Sequence, residues 1–166
     1  MLLERGDINP NTADENGRTP LMIAAFQGHV AVVKMLLEQS DVNPNTKNEY
    51  GETPLHIAIC EEHEGVVKAL LERDHVNPNI LDGFTGETPL LTAAIDGHEG
   101  AVKMLLERND VNPNATDENG QTPLCGAVFQ GHEGVVKVLL ERADVNPNTA
   151  SKHDGTPLFI AVRDEC

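Results

Sequence analysis

Tryptophan is absent, tyrosine occurs once, and aromatic residues make up 3 % of the 166 positions. A thick globular core is therefore excluded, and what can be built is small and aliphatic, as in a thin stack of short helices. Cysteine is scarce too. Cys60, Cys125 and Cys166 are an odd number without close spacing, which supports neither a disulfide framework nor a zinc site. A reducing, intracellular location is expected. No apolar run approaches the roughly 20 residues a membrane span needs. The opening MLLERG has no apolar h-region, so no secretion signal is expected in it. Positive charge is the last shortage. Twelve Lys and Arg stand against 27 Asp and Glu, a net charge of −15. That disfavours nucleic-acid backbones and anionic membranes, and favours partners of basic character.

What is present is repetition. Thr-Pro-Leu occurs at Thr19, Thr53, Thr88, Thr122 and Thr156, in steps of 34, 35, 34 and 34 residues. Threonine is a good N-cap, and proline fits the first helical position, where its missing N–H costs nothing. Each copy therefore starts a helix, and a period in this range means a solenoid of stacked units. First helices are predicted near 20–27, 54–61, 89–96, 123–130 and 157–163. Gly28, Gly97 and Gly131 end three of them as C′ glycines. Glu62 takes that place in the second unit, at a strain of about 1 kcal/mol. A histidine follows each time, at His29, His63, His98 and His132. Second helices are predicted near 31–39, 65–73, 100–108 and 134–142. Their paired apolar residues, such as Val66, Val67, Leu70 and Leu71, make a wide stripe that neighbouring units must cover.

Each Leu-Leu-Glu helix end, including Leu2-Leu3-Glu4, runs into Asn-Pro-Asn, where the residue before proline leaves the α region. Polar fingers follow. Asn16-Gly17 and Asn119-Gly120 predict two-residue hairpin turns, since both residues tolerate positive φ. The third finger carries an insertion, Ile80 to Gly86, and the fifth reads Asp154-Gly155-Thr156, so those two should differ in shape. The frame is one domain over 1–166. It has a partial unit at 1–8, complete ones at 9–42, 43–76, 77–111 and 112–145, and a partial one at 146–166. Both ends fall inside a unit and neither shows a polar capping repeat, so a piece of a longer array is expected.

Searching for chemistry turns up little. The four recurrent histidines lie a whole unit apart, beyond the reach of about 2 Å that one metal ion allows. Their expected work is hydrogen bonding to the turn between helices. His75 and His153 are read as loop residues. Cys60 and Cys125 fit as small apolar packers on first helices. No Cys–His pair with a supporting acid appears, no acid pair sits in an apolar setting, and no glycine loop is built to cradle phosphate. Neither catalysis, nor a metal, nor a cofactor is expected.

The helical period alone would also admit tetratricopeptide units, but those have longer helices, little loop, and Trp and Tyr markers that are missing here. The pattern resembles ankyrin repeats instead, on Thr53-Pro54-Leu55-His56-Ile57-Ala58, the Gly-His turns and the Val-Val-x-x-Leu-Leu helices, in register five times along the chain. The units are one residue longer than usual, in the Asp-Val-Asn-Pro-Asn stretch, a form similar to arrays common in filamentous fungi. Only the second unit keeps the motif histidine; Met22, Leu91, Cys125 and Phe159 replace it elsewhere. The resemblance implies an all-α solenoid with β-hairpin-like loops, in which His56 bonds its own Thr-Pro turn. It also implies protein partners docking where fingers and first helices line a concave side.

The positions that match that side carry Asp14, Glu15, Glu49, Glu52, Glu61, Glu62, Asp82, Glu87, Asp96, Asp117, Glu118 and Asp154, opposed only by Arg18, Lys47 and Lys152. Tyr50 and Phe84 sit at finger tips and are the candidate aromatic anchors. Phe26, Ile95 and Phe129 fit either anchoring or core packing. The second helices are nearly identical to one another, whereas fingers and first helices differ, so the differing side is free to recognise something. One reading is a protein-interaction module for a partner of basic character. The other is a rigid spacer or sensing segment of a larger protein. A monomer is expected, with end-to-end association open to it through the apolar ends, Leu2, Leu3 and Phe159 to Val162.

Overall fold

The structure, a computed structural model, describes residues 9–163. The readings of 1–8 as a partial unit, of Leu2-Leu3-Glu4 as a helix end and of Cys166 lie outside those residues. Nine helices occur among the described residues. The first helices are α1 (Pro20–Phe26), α3 (Pro54–Cys60), α5 (Pro89–Asp96), α7 (Pro123–Phe129) and α9 (Pro157–Arg163). The second helices are α2 (Val30–Leu37), α4 (Glu64–Leu71), α6 (Glu99–Leu106) and α8 (Glu133–Leu140).

The starts are where local chemistry puts them. The hydroxyls of Thr19, Thr53, Thr88 and Thr122 accept the N–H three residues on, at 3.4, 3.4, 3.2 and 3.2 Å. First helices pack on first helices and second on second, giving a two-layered all-α solenoid. In α1, α3, α5 and α7 the leucine after the N-terminal proline is at the centre of the core, whereas Leu158 of α9 is exposed. Leu21, Leu55, Leu90 and Leu124 are buried, as are Val33, Val67, Val102 and Val135.

The second helices stop two residues before the predicted ends. Glu38, Glu72, Glu107 and Glu141 act as C-caps instead of helical residues. The N–H of the next residue then folds back onto the last turn, as Gln39 does to the Leu36 carbonyl at 3.1 Å.

Beyond that point the Asn-Pro-Asn segments do more than stop a helix. The amide of Asn45 donates to the His75 carbonyl at 2.7 Å, and its oxygen accepts the Asn77 N–H at 2.8 Å. Asn11, Asn79 and Asn114 likewise clasp the end of their own unit through the amide and the first residue of the next through the oxygen. The first Asn of each segment braces the second, its oxygen accepting the N–H two residues on. The result is an asparagine ladder, with Val42, Val76, Val111 and Val145 buried beneath it. It satisfies backbone groups that a loop would otherwise leave to water.

An arginine staple reinforces two junctions. Arg142 donates to the Leu106 carbonyl at 2.6 Å and forks onto Asp144 at 2.8 and 2.6 Å. Arg108 does the same with Leu71, Arg73 and Asp110. A cation at a helix C-terminus also meets the negative end of the helix dipole.

Candidate functional site

The fingers are built by one short side chain each. In the first, the Asp14 carboxylate accepts the N–H groups of Asn16 and Arg18, both at 2.9 Å. Asn48 does the same for Tyr50 and Glu52, and Asp117 for Asn119 and Gln121. The expected two-residue turn is corrected here. Gly17 is at φ 74, and among the described residues only Glu62 is a non-glycine at positive φ, so Asn16 is not. With Gly17 N–H bonded to the Asp14 carbonyl and Asp14 N–H to Arg18, the turn is a type I turn closed by a glycine bulge. Among the described residues strand pairing is reduced to one bridge, Ser151 to Gly155.

The inserted third finger is wider, as its sequence predicts, closing from Asp82 to Glu87. Asp82 accepts the N–H groups of Phe84, Thr85 and Gly86 and the Thr85 hydroxyl. Burial pushes this carboxyl up, but those four donors outweigh it and hold it below its usual range. The fifth finger differs as well, with Ser151 in the bracing position and its hydroxyl accepting the Asp154 N–H.

Fingers one and two and helices α1 and α3 enclose a cleft of about 390 Å³, lined among others by Arg18, Ile23, Phe26, Tyr50, Ile57 and Glu61. Successive fingers are tied by backbone bonds, Glu49 N–H to the Asn16 carbonyl and Gly83 N–H to the Tyr50 carbonyl. The site is thus a row of fingers, tied to one another, along one edge of a stack of paired helices.

The sequence profile described as ankyrin repeats (3 copies) matches residues 1–82, 74–151 and 109–166. The chain belongs to the ankyrin repeat family. Comparison with curated protein sequences returns no match. Among solved structures, the ankyrin repeat domain of Bcl-3, described as a unique member of the IkappaB protein family, superposes with a TM-score of 0.88. It is 26 % identical, over 96 % of this chain and 70 % of that one. Ankyrin repeats are generally protein–protein interaction modules, typically without catalysis. With 505 solved chains matching, the ankyrin fold by itself selects no partner.

On this ankyrin array the candidate positions divide. Tyr50 is 61 % and Phe84 89 % exposed, and Phe26 and Phe129 are exposed at the ends of first helices. Glu15, Glu49, Glu61 and Glu118 stand in solvent. Asp14, Asp82 and Asp117 instead hold their own fingers. Arg18 pairs with Asp14 at 2.8 Å, and that partner keeps the Asp14 carboxyl below its usual range. Lys152 donates to the Glu118 carbonyl at 2.5 Å, tying the last two fingers together. Asp96 lies 3.9 Å from the His98 ring. The cleft collects Arg18, Tyr50 and Glu61; Phe84, Glu118 and Lys152 lie on later fingers.

The Cys60 thiol in that cleft is pushed up to about 11, first by burial and then by the carboxylates of Asp96, Glu52, Glu61 and Glu87. Cys60 is exposed at the end of α3, which corrects its reading as a small apolar packer, and the raised pKa keeps the thiol protonated at neutral pH. Cys125 is buried and donates to the Thr149 carbonyl at 3.4 Å.

His56, His63 and His132 hold structure. His63 and His132 donate from Nε2 to the carbonyls of Phe26 and Ile95, at 3.0 and 2.9 Å, in the preceding unit. His56 completes a capping box with Thr53, and its Nε2 reaches the Glu87 carbonyl at 3.4 Å. Among the described residues no group of three or more His, Cys, Asp or Glu is placed to hold a metal ion, and no helix is long and apolar enough to cross a membrane.

Proposed function

We propose that this array is an interaction module that takes a partner of basic character on its finger side. The observation that carries the proposal is an asymmetry in use. The opposite side uses its Asn-Pro-Asn segments and arginines in the asparagine ladder and the forks, and on two of its exposed helices acids are paired with lysines, Glu99 with Lys103 and Glu133 with Lys137. The finger side leaves Glu15, Glu49, Glu61 and Glu118 solvated beside exposed Phe26, Tyr50, Phe84 and Phe129. Exposed aromatics among like-signed charges supply anchors and steering together. The proposed contact set is Glu15, Glu49, Tyr50, Glu61, Phe84, Asp96 and Glu118, within a frame of units at 9–42, 43–76, 77–111 and 112–145. Asp14, Asp82, Asp117, Arg18 and Lys152 shape the fingers that present it.

The test uses the whole chain, immobilised, and a defined set of basic and acidic proteins at low and high salt. Selective capture of basic members, weakened by salt and by reversing Glu15, Glu49 and Glu118 to Lys, supports the proposal. Reversing Asp117 is uninformative, because it dismantles a finger. Capture blind to those three charges rejects the acidic-face reading.

A spacer role in a larger protein is the second reading. The continuous ladder favours it, since hydrogen bonds across each junction resist bending. Indifference to every basic protein, with binding to segments of its own parent chain, would favour that role. The reading also holds the chain monomeric and intracellular, with end-to-end pairing available through Leu158 and Val162, each 74 % exposed.

A further inference from the structure

Resting on that reading, we propose that the cleft between the first two fingers is the array's arginine pocket, receiving the guanidinium of an extended basic segment of the partner. Its size is the first argument. About 390 Å³ is near the lower end of ligand pockets and suits one long side chain with its flanking backbone. Its walls are the second. Phe26, 52 % exposed, and Tyr50, 61 % exposed, line it together with Ile57. A guanidinium stacks on such rings, and its aliphatic stem covers apolar surface.

Charge is the third argument. Glu61 is exposed at the cleft. Glu52 has one carboxylate oxygen engaged by the Asn48 amide at 2.7 Å and the other unengaged. The cation that could oppose a ligand, Arg18, is held by Asp14 through a hydrogen bond at 2.9 Å and a second contact at 2.8 Å. Arginine fits better than lysine, because its planar fork can stack and bridge carboxylates at once.

The chain supplies its own reporter. With no tryptophan and one tyrosine, its intrinsic emission comes from Tyr50. The probe is an acetylated, amidated pentapeptide with arginine between two leucines and glycine at each end, titrated against the whole chain by fluorescence and calorimetry. Lysine and citrulline versions are run beside it. Saturable change in the Tyr50 signal is expected with arginine, and at least about tenfold weaker binding with uncharged citrulline. Glu61→Gln should weaken the arginine peptide about fivefold and Phe26→Ala about tenfold, while Glu141→Gln, exposed at the end of α8 and outside the contact set, leaves it unchanged. Equal binding of citrulline, or calorimetric binding with a flat Tyr50 signal, overturns the pocket, as does an equal loss with Glu141→Gln. If the pocket fails while salt-sensitive capture of basic proteins persists, the acidic face stands without it. If both fail, both are rejected.

Discussion

Two junctions in this array differ by little more than one residue at the helix turn. Between the third and fourth units, Gly97 sits at φ 79 and the His132 ring lies against it, bonded to the Ile95 carbonyl at 2.9 Å. Between the second and third, Glu62 occupies the glycine's place at φ 56. There His98 reaches no carbonyl; its ring lies 3.9 Å from the carboxylates of Glu62 and Asp96, and a cavity of about 520 Å³ opens beside it. The turn glycine therefore serves twice. It allows a left-handed backbone, and it leaves room for the next unit's imidazole, since a Cβ on Gly97 would lie 2.7 Å from the His132 ring. An array can drop this contact once because the asparagine ladder holds the same junction, through Asn45 and Asn77.

The comparison breaks most sharply if the good junction is given the defect of the poor one. Gly97→Glu should cost about 2–3 kcal/mol, from left-handed strain together with the lost histidine bond. Urea denaturation measures it, and a loss below about 1 kcal/mol would mean that the imidazole contact contributes little. Next in size is the ladder. Asn79→Ala removes the bond to Asn112 of the fourth unit and the bond to Asp110 just before it, and should cost about 1–2 kcal/mol. Asn148→Ala should leave stability unchanged, since among the described residues its side chain joins no rung and only its N–H is engaged, by Asn146. Equal losses at the two positions would deny that the ladder acts between units. Smaller again is the repair of the poor junction. Glu62→Gly should stabilise by about 1 kcal/mol by relieving the backbone. If the repaired turn also admits the His98 ring, adding His98→Ala should then cost more in the repaired chain than in the original.

How much of this was legible follows from the reach of each interaction. Helix starts were readable because Thr53 caps a residue three positions away and Pro54 acts on its own φ. The ends of the second helices were not, because the apolar period continues past Leu71 while Glu72 has already become the cap. The ladder was invisible to local reasoning, since Asn45 binds residues 30 and 32 positions on. Its one signal was redundancy, for stopping a helix needs the proline and not an asparagine on each side. On the finger side, Tyr50 and Phe84 were legible as tips. Acids were counted by charge although three of them act as loop braces. The sequence held the clue in Asn48, which braces the second finger as Asp14 and Asp117 brace theirs, so charge is not what the position uses. Phe26 and Phe129 could not be placed, because a phenylalanine at the end of a short helix can face either way.

The smallest effect concerns pH at the poor junction, where two titratable groups on facing units pull in opposite directions. His56 is buried, and burial lowers its pKa below 6.5; the Glu87 carbonyl bond and the Asp82 and Glu52 charges resist that shift, and Lys47 adds to it. The unfolded chain therefore takes up a proton first, so stability contributed by the neutral ring is complete above 6.5 and is lost as pH falls below it. Glu87 behaves oppositely. Burial, with Asp82 and Asp117 nearby, raises its pKa above 4.5 despite the Thr92 hydroxyl bond at 3.1 Å. The folded chain then holds the extra proton, so ionised Glu87 is a liability at neutral pH that fades as pH falls toward 4.5. Glu87→Gln keeps an acceptor for Thr92 and should raise the melting temperature at pH 7, with the gain shrinking in acid. His56→Gln should lower it at pH 7 and flatten its decline just below 6.5. If both variants gave profiles parallel to the parent chain, the acid sensitivity would have to come from elsewhere in the array, and the junction with the missing glycine contact would be no weaker in acid than its neighbours.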